Sequence, residues 1–335
     1  MSRTGTVYRE IWEAHERDWL APWACRSAES RGRARTEEPC PFRTVFQRDR
    51  DRIIHSKSFR RLKHKTQVLS LPESDHTRTR LTHTLEVSQI ARTVARALRL
   101  NEDLTEAIAL AHDLGHTPFG HTGERALRAF AQERGLPGFH HAEQSLRVVD
   151  VLERDGRGLN LTWEVRMGIV QHSKGQVDVR DGFHLDDPSS VEAWVVRVSD
   201  SIAYLNHDLD DALGAKFLRP EDIPAEILGT LGDSHGKRIN ALVNDVALNS
   251  GEGRISFSAK FLEQIENLRS FLYAAVYSND SIRQEEPKVL YVLRTLFDHA
   301  IDVQGMSPRD AVDEISGMTD RYALQLFRQL AEPQA

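Results

Sequence analysis

The stretch "HTLEVSQIARTVARAL", residues 83–98, decides the fold. Laid on a helix at roughly 100° per residue, Val87, Ile90, Val94 and Leu98 all fall within about 60° of His83. Apolar positions spaced this way make one face of an amphipathic helix, and the histidine lies on the buried side of it. The same period runs along almost the whole chain. It predicts an N-terminal helix near 5–18 and a helix beginning near Leu81. Four more helices are predicted in the last hundred residues, broken near "SGEGR", "YSNDS" and "GMSPR". There is no internal repeat and no convincing run of alternating strands, so the fold class is all-α. The expected organisation is an N-terminal helix with a mobile loop over 1–42, a core over 43–220, and a helical region over 221–335 packed on that core. "SRGRARTEEP" (30–39) reads as the mobile surface loop. "LSLPESDHTRTR" (69–80), "GRGLN" (156–160) and 173–190 read as the other non-helical stretches.

At 335 residues the chain is long enough to bury a full core. It is 40% hydrophobic and 28% charged, as an ordinary globular protein is. A net charge of −6 argues against a general nucleic-acid coat, since counterion release needs clustered positive charge. One local exception, "RDRDRIIHSKSFRRLKHKT" at 48–66, leaves weak nucleic-acid binding as an option. Only two cysteines, Cys25 and Cys40, are present. They suggest neither a disulfide framework nor a zinc knuckle, and a reducing cytoplasm is expected. No apolar run approaches the roughly 18 residues of a membrane span, so no membrane partner is expected.

Titratable chemistry concentrates in "AHDLGHTPFGHTGE" (111–124), which holds His112, Asp113, His116, His121 and Glu124. His112 shares a helical face with Ile108, and Asp113 turns about 100° away. In "VEAWVVRVSDSIAYLNHDLDDAL" (191–213), the stripe Val195, Val198, Ile202, Leu205 and Leu209 faces one way. Asp200 lies opposite, with Tyr204, Asp208 and Asp211 stacked on its own side. Val196, Ala203 and Tyr204 flank that aspartate, so this side is at least partly covered. A buried carboxylate without a partner is expensive. A divalent cation held by His83, His112, Asp113 and Asp200 would offset that cost. Open positions for water or substrate would make such a site catalytic.

"RLTHTLEV", "AHDLGHTPFGH" and "RVSDSIAYLNHDLDD" resemble the H…HD…D pattern of the HD-domain metal-dependent phosphohydrolases. That resemblance implies an HD-domain helical bundle and one divalent metal per active site, with Mn, Fe, Co, Ni or Mg all suited. Three longer stretches, "FRRLKHKTQV", "HDLGHTPFGHTGE" and "GFHHAEQSLRVV", look like the deoxyguanosinetriphosphate triphosphohydrolase family, and "MGIVQHSKG" is similar to its bacterial branch. His140 and Lys63 depart from that pattern.

The resemblance implies cleavage of a dNTP, dGTP among them, to a deoxynucleoside and tripolyphosphate by water attack at the α-phosphorus. It carries His121 and Glu124 over as a catalytic pair, and their i, i+3 spacing would let the carboxylate orient the imidazole. His141 matches a further active-site histidine. Arg80 matches a phosphate contact, and His116 is expected to add another. Gln67 and Asp208 match positions that read the deoxyribose, and Tyr204 one that packs against it and leaves no room for a 2′-hydroxyl. A homo-oligomer and a dNTP effector are further expectations. The competing readings are an HD-domain enzyme acting on a nucleotide monophosphate or cyclic nucleotide, and a weakly active regulator that binds nucleotide or nucleic acid. In "TPFG" the proline marks where a new helix begins, placing His121 in its first turn.

Overall fold

The computed structural model describes residues 6–67, 78–173, 190–277 and 280–331. The expected loops over 69–77 and 174–189, and part of the "YSNDS" break, lie outside the described residues. Within them the chain is helical throughout, and its only β-pairings are three isolated bridges, Arg33 with Thr162, Thr66 with Thr79, and Gly251 with Arg254. Among the described residues no helix is long and apolar enough to cross a membrane.

The order is α1 (Arg9–Trp19), α2 (Val45–Ile54), α3 (Lys57–Arg61), α4 (Arg80–Ala97), α5 (Glu102–Ala111), α6 (Gly120–Glu133), α7 (His141–Arg147) and the short α8 (Glu153–Gly156). Then come α9 (Trp163–Gln171), α10 (Val191–Gly214), α11 (Ala225–Leu231), α12 (His235–Asn249), α13 (Ala259–Leu272), α14 (Asp280–Asp298), α15 (Pro308–Gly317) and α16 (Asp320–Ala331). Side-chain caps fix several of the starts. Thr44 and Gln47 form a reciprocal capping box at α2. Asn101 accepts the Leu104 N–H at α5, and Ser190 the Ala193 N–H at α10.

α4, α5 and α10 pack side by side, with α9 across α5 and α10. The predicted face of α4 is the buried one: His83, Val87, Ile90 and Val94 are all within it. The apolar stripe of α10 buries Val195, Val198, Ile202, Leu205 and Leu209 in the same core. That core continues past residue 220 through Ile227, Leu242, Ile265 and Leu268, so α11, α12 and α13 share it. A second core joins α6 to α14, α15 and α16, with Leu127, Phe130 and Phe139 against Leu293, Phe297 and Ile315.

Two expectations are corrected. The stretch 30–39 is not a free surface loop. Arg33 pairs with the fully buried Asp49 and donates to the Asn160 carbonyl. The Arg35 N–H donates to the Asn160 side chain, and Glu37 takes Arg48 and Arg52. Its charge suggested solvent, but those charges meet partners distant in sequence. The last hundred residues hold five α-helices rather than four, because α15 stops at Gly317 and α16 restarts at Asp320. Thr319 caps the new helix by accepting the Tyr322 N–H. With only Met318 and Thr319 between the two helices, no loop-like composition marks the break.

Candidate active site

α4 delivers His83 from its buried face, and the α5 terminus delivers His112 and Asp113. α10 delivers Asp200 from the side opposite its main stripe. α5 ends at Ala111 because the chain then turns through His112–Gly115, which packs flat on α7. A Cβ on Gly115 would lie 2.2 Å from the Ser145 backbone nitrogen, so no side chain is tolerated there. Ser145 fastens this approach, accepting the Gly115 N–H at 2.9 Å and donating to the His112 carbonyl at 2.7 Å.

The ligand atoms of His83, His112 and Asp200 converge, with Asp113 beside them. His83 Nε2 lies 3.0 Å from Asp200 Oδ1 and 3.9 Å from Asp113 Oδ2. His112 Nε2 lies 3.6 Å from Asp113 Oδ2 and 3.9 Å from Asp200 Oδ1. His112 Nδ1 faces the Ala109 carbonyl at 2.6 Å, and a carbonyl can only accept. The ring proton is therefore on Nδ1, and Nε2 carries a lone pair into the cluster. That nitrogen is buried and has no hydrogen-bond partner among the described residues. An orphaned lone pair beside two carboxylates is the chemistry of a cation site, and the four residues fit a divalent metal. Both acids are suited to it. Burial acts to raise Asp113, but His112, Arg80, His116 and His83 hold it well below the usual carboxylate range. Burial likewise opposes the Asp200 charge, and the neighbouring His83 and His112 outweigh it, so its pKa is lowered. Asp113 is buried, while the Asp200 carboxylate is 31% exposed, so the donor set opens on the Asp200 side.

From this cluster an unbroken row of imidazoles runs toward α6. Ring centroids are 5.6 Å apart for His83–His112, 4.9 Å for His112–His172, 5.3 Å for His172–His141, 5.0 Å for His141–His116 and 5.8 Å for His116–His121. His121 stands in the first turn of α6, as the proline signal implied, with Phe119 at φ 61° before it. The expected His121–Glu124 pair is not what the structure forms. Glu124 accepts from His141 instead, at 3.1 and 3.2 Å from Nδ1 and 3.3 Å from the backbone N–H. Both histidines were candidates, but spacing along one helix could not weigh a ring arriving from the start of α7. His121, an exposed residue, feels Glu124 only through its charge; desolvation by the groups around its ring and the Arg80 charge lower it to about 4.

The Glu124–His141 pair has a defined proton. Burial would raise Glu124, but the His141 hydrogen bond and charge lower it to about 2. Burial disfavours a charged His141, and Glu124 more than compensates, raising its pKa. The other His141 nitrogen, Nε2, lies 3.2 Å from His172 Nε2. His172 has its own proton on Nδ1, bonded to the Ile169 carbonyl at 2.6 Å, and burial with the nearby His112 and His141 rings lowers it to about 3. Neutral tautomers would leave two lone pairs facing each other. His141 is accordingly the imidazolium that donates to His172.

Arg80, buried at the first position of α4, donates to Asp113 Oδ2 at 2.6 Å and to the Gln67 carbonyl at 2.9 Å. Its Nε, the Gln67 Oε1 and the His116 Nδ1 are buried without hydrogen-bond partners among the described residues. A buried polar atom without a partner is costly, so these three stand available to a polar ligand. Tyr204 sits half-buried one turn beyond Asp200, and Asp208 is buried one turn further. Burial and the Asp211 charge hold the Asp208 carboxyl well above its usual range. The basic run contributes less than its composition suggested. Arg48, Arg50 and Arg52 are engaged by Glu37, Asp103 and Glu106. Lys65 is buried against the His116 and Ser316 carbonyls.

Three participants escaped the sequence reading: His172, His207 and Glu86. His207 was within reach, seven residues after Asp200 and so on its face of α10. Glu86 stands three residues after His83, also on one face. His172 lay in a stretch quoted only for its resemblance.

Residues 80–205 match the HD domain and 255–308 the phosphohydrolase-associated domain. The deoxyguanosinetriphosphate triphosphohydrolase-like protein of Caldanaerobacter subterraneus subsp. tengcongensis is 53% identical over 97% of this chain and 96% of its own. The chain belongs to the deoxyguanosinetriphosphate triphosphohydrolase-like family. A member from Desulfatibacillum aliphaticivorans is 46% identical over 97% of this chain and 98% of its own. Among solved structures, a hypothetical protein from Aquifex aeolicus aligns with a TM-score of 0.46 at 19% identity, covering 85% of this chain and 68% of that one. Membership makes the chain an HD-domain phosphohydrolase. Its candidate metal centre is His83, His112 and Asp200, whose ligand atoms lie within 4.8 Å of one another, with Asp113 beside His112 and grouped equally with His141 and His172.

Proposed function

We propose that this protein hydrolyses deoxynucleoside triphosphates, dGTP among them, to the deoxynucleoside and tripolyphosphate. One observation carries the reading: the metal donor set, the ligand-ready Arg80 and the protonated Glu124–His141 pair line a single continuous row of side chains. Relatives named deoxyguanosinetriphosphate triphosphohydrolase-like support the substrate class.

His83, His112, Asp113 and Asp200 would hold the divalent cation, which when bound supplies Lewis acidity toward a phosphoryl oxygen and favours deprotonation of water. The rest falls to the chain itself. Arg80 exchanges part of its bond to Asp113 for phosphate oxygens, and its unbonded Nε gives it a further donor to offer. His116, neutral because burial and the Arg80 charge lower it well below its ordinary value, adds a polar contact without a fixed charge. Water attacks the α-phosphorus, a P–O bond forms and the bond to the nucleoside O5′ breaks. O5′ leaves as an alkoxide unless protonated. The His141 imidazolium gives it a proton, and Glu124 stabilises the charged ring beforehand and keeps it oriented. The proton lost by the attacking water passes to solvent or to His121, which is neutral at pH 7.

Tyr204 and Asp208 lie one and two turns along α10 from Asp200, where a sugar would follow an α-phosphate bound at the centre. Tyr204 against C2′ would exclude a ribose hydroxyl, and Asp208 and Gln67 would read the deoxyribose.

The test is product analysis of dGTP hydrolysis with Mn²⁺ in ¹⁸O-labelled water, resolved by ion-exchange chromatography and mass spectrometry. Tripolyphosphate carrying the label, with unlabelled deoxyguanosine, is the expected result. Orthophosphate or pyrophosphate with a nucleotide product would reject the reaction.

A further inference from the structure

His83 and His112 both offer Nε2 to the cluster, but their outer nitrogens are held differently. His112 Nδ1 faces a backbone carbonyl, which fixes its proton without ambiguity. His83 Nδ1 faces another imidazole, His207 Nδ1, at 3.3 Å. Two imidazole nitrogens can bond either way round, so that contact alone leaves the His83 proton undecided. It matters, because Nε2 of His83 is 3.0 Å from Asp200. A proton on Nε2 would be donated to that carboxylate, and the nitrogen would then have no lone pair for a cation.

The choice is made one residue further out. The Nε2 of the fully buried His207 is in direct contact with the Glu86 carboxylate. Burial acts to raise Glu86, and the His207 hydrogen bond leads the contacts that lower it, so it remains a carboxylate and can only accept. His207 must then carry its proton on Nε2, and its Nδ1 is left as an acceptor. That acceptor draws the His83 proton to Nδ1 and frees Nε2. The geometry therefore points to Glu86 and His207 as positioning residues of the metal centre, a relay by which one carboxylate selects the metal-binding tautomer of His83. The chain places them by simple periodicity: Glu86 is one turn after His83 on α4, and His207 two turns after Asp200 on α10. Groups that orient a ligating imidazole in this way typically change metal affinity about 10- to 100-fold.

The inference rests on the metal centre and not on the substrate. A wild type that binds Mn²⁺ without cleaving dGTP would reject the proposed reaction and leave the relay standing. The experiment is calorimetric titration of the metal-free full-length protein with Mn²⁺. His207→Leu removes the acceptor, and affinity is expected to fall about 10- to 100-fold. His207→Asn puts an amide oxygen near the place of Nδ1, and affinity should return close to wild type. Glu86→Met, at a half-exposed position that tolerates the change, should weaken Mn²⁺ binding in the same direction as His207→Leu without disturbing the core. Wild-type affinity in Glu86→Met would overturn the relay, as would equal losses in His207→Leu and His207→Asn, which would mean that only packing was removed. A wild type that fails to bind Mn²⁺ would overturn it together with the centre.

Discussion

The two ends of the histidine row use the same side chain for opposite purposes. At the α4–α10 end, His83 and His112 have their protons drawn outward, to His207 and to the Ala109 carbonyl, so that lone pairs converge on Asp113 and Asp200. At the α6–α7 end, His141 is given a second proton by Glu124 and shares it with His172. What differs is the partner of the outer nitrogen. A neutral acceptor leaves the imidazole a ligand, whereas an adjacent buried carboxylate makes it an acid. The contrast yields four ways to break or sharpen it.

The largest effect is expected at the ligand end. His83→Ala, His112→Ala, Asp113→Ala and Asp200→Ala should each abolish turnover and lower bound metal. Metal analysis of the purified variants checks this, and full occupancy in Asp200→Ala would remove that residue from the donor set. At the acid end, Glu124→Gln and His141→Ala should each slow turnover by about 10²-fold, the usual scale for a positioned proton donor. The double variant should be little worse than either single one, because each residue works through the other. Single-turnover rates that multiply independently would dissolve the pair. A smaller effect is expected beside the row, where Tyr204→Ala should narrow the preference for dGTP over GTP. Competing the two substrates in one reaction measures the ratio, and an unchanged ratio would clear Tyr204 of sugar selection.

The smallest effect concerns the C-terminal region, where no motif was read. Both Asp320 oxygens accept backbone N–H groups at 3.0 Å, one from Thr66 beside Gln67 and one from Phe119 before His121. Asp320→Ala leaves two donors without their acceptor and should cost about 2 kcal/mol of stability. Denaturant unfolding would show it, and a wild-type midpoint would mean that water replaces the carboxylate.

How much of this was legible in the sequence depended on range. Helical period and caps act within a turn or two, so the face of α4, the stripe of α10 and the start of α6 could be read directly. Two of the candidate donors, His83 and Asp200, were legible too, because each sits on a helix whose faces are set by its own apolar neighbours; His112 and Asp113 lie in the turn just past α5. The partner of Glu124 was not. His121 and His141 compete for it, and only the tertiary approach of α7, allowed by Gly115, decides between them. Arg33 teaches the same lesson, since its partners Asp49 and Asn160 lie far along the chain. Histidine roles proved hardest to read, because whether a ring binds a cation or carries a proton depends on its outer nitrogen's partner.

The division of labour between the two ends is tested most directly by measuring metal content and single-turnover rate on two variants side by side, His112→Ala and Glu124→Gln. The account predicts that His112→Ala loses both, while Glu124→Gln keeps its full metal and loses only the rate. Metal lost from Glu124→Gln along with its rate would contradict it, because the row would then be one coordination unit and His141 no acid.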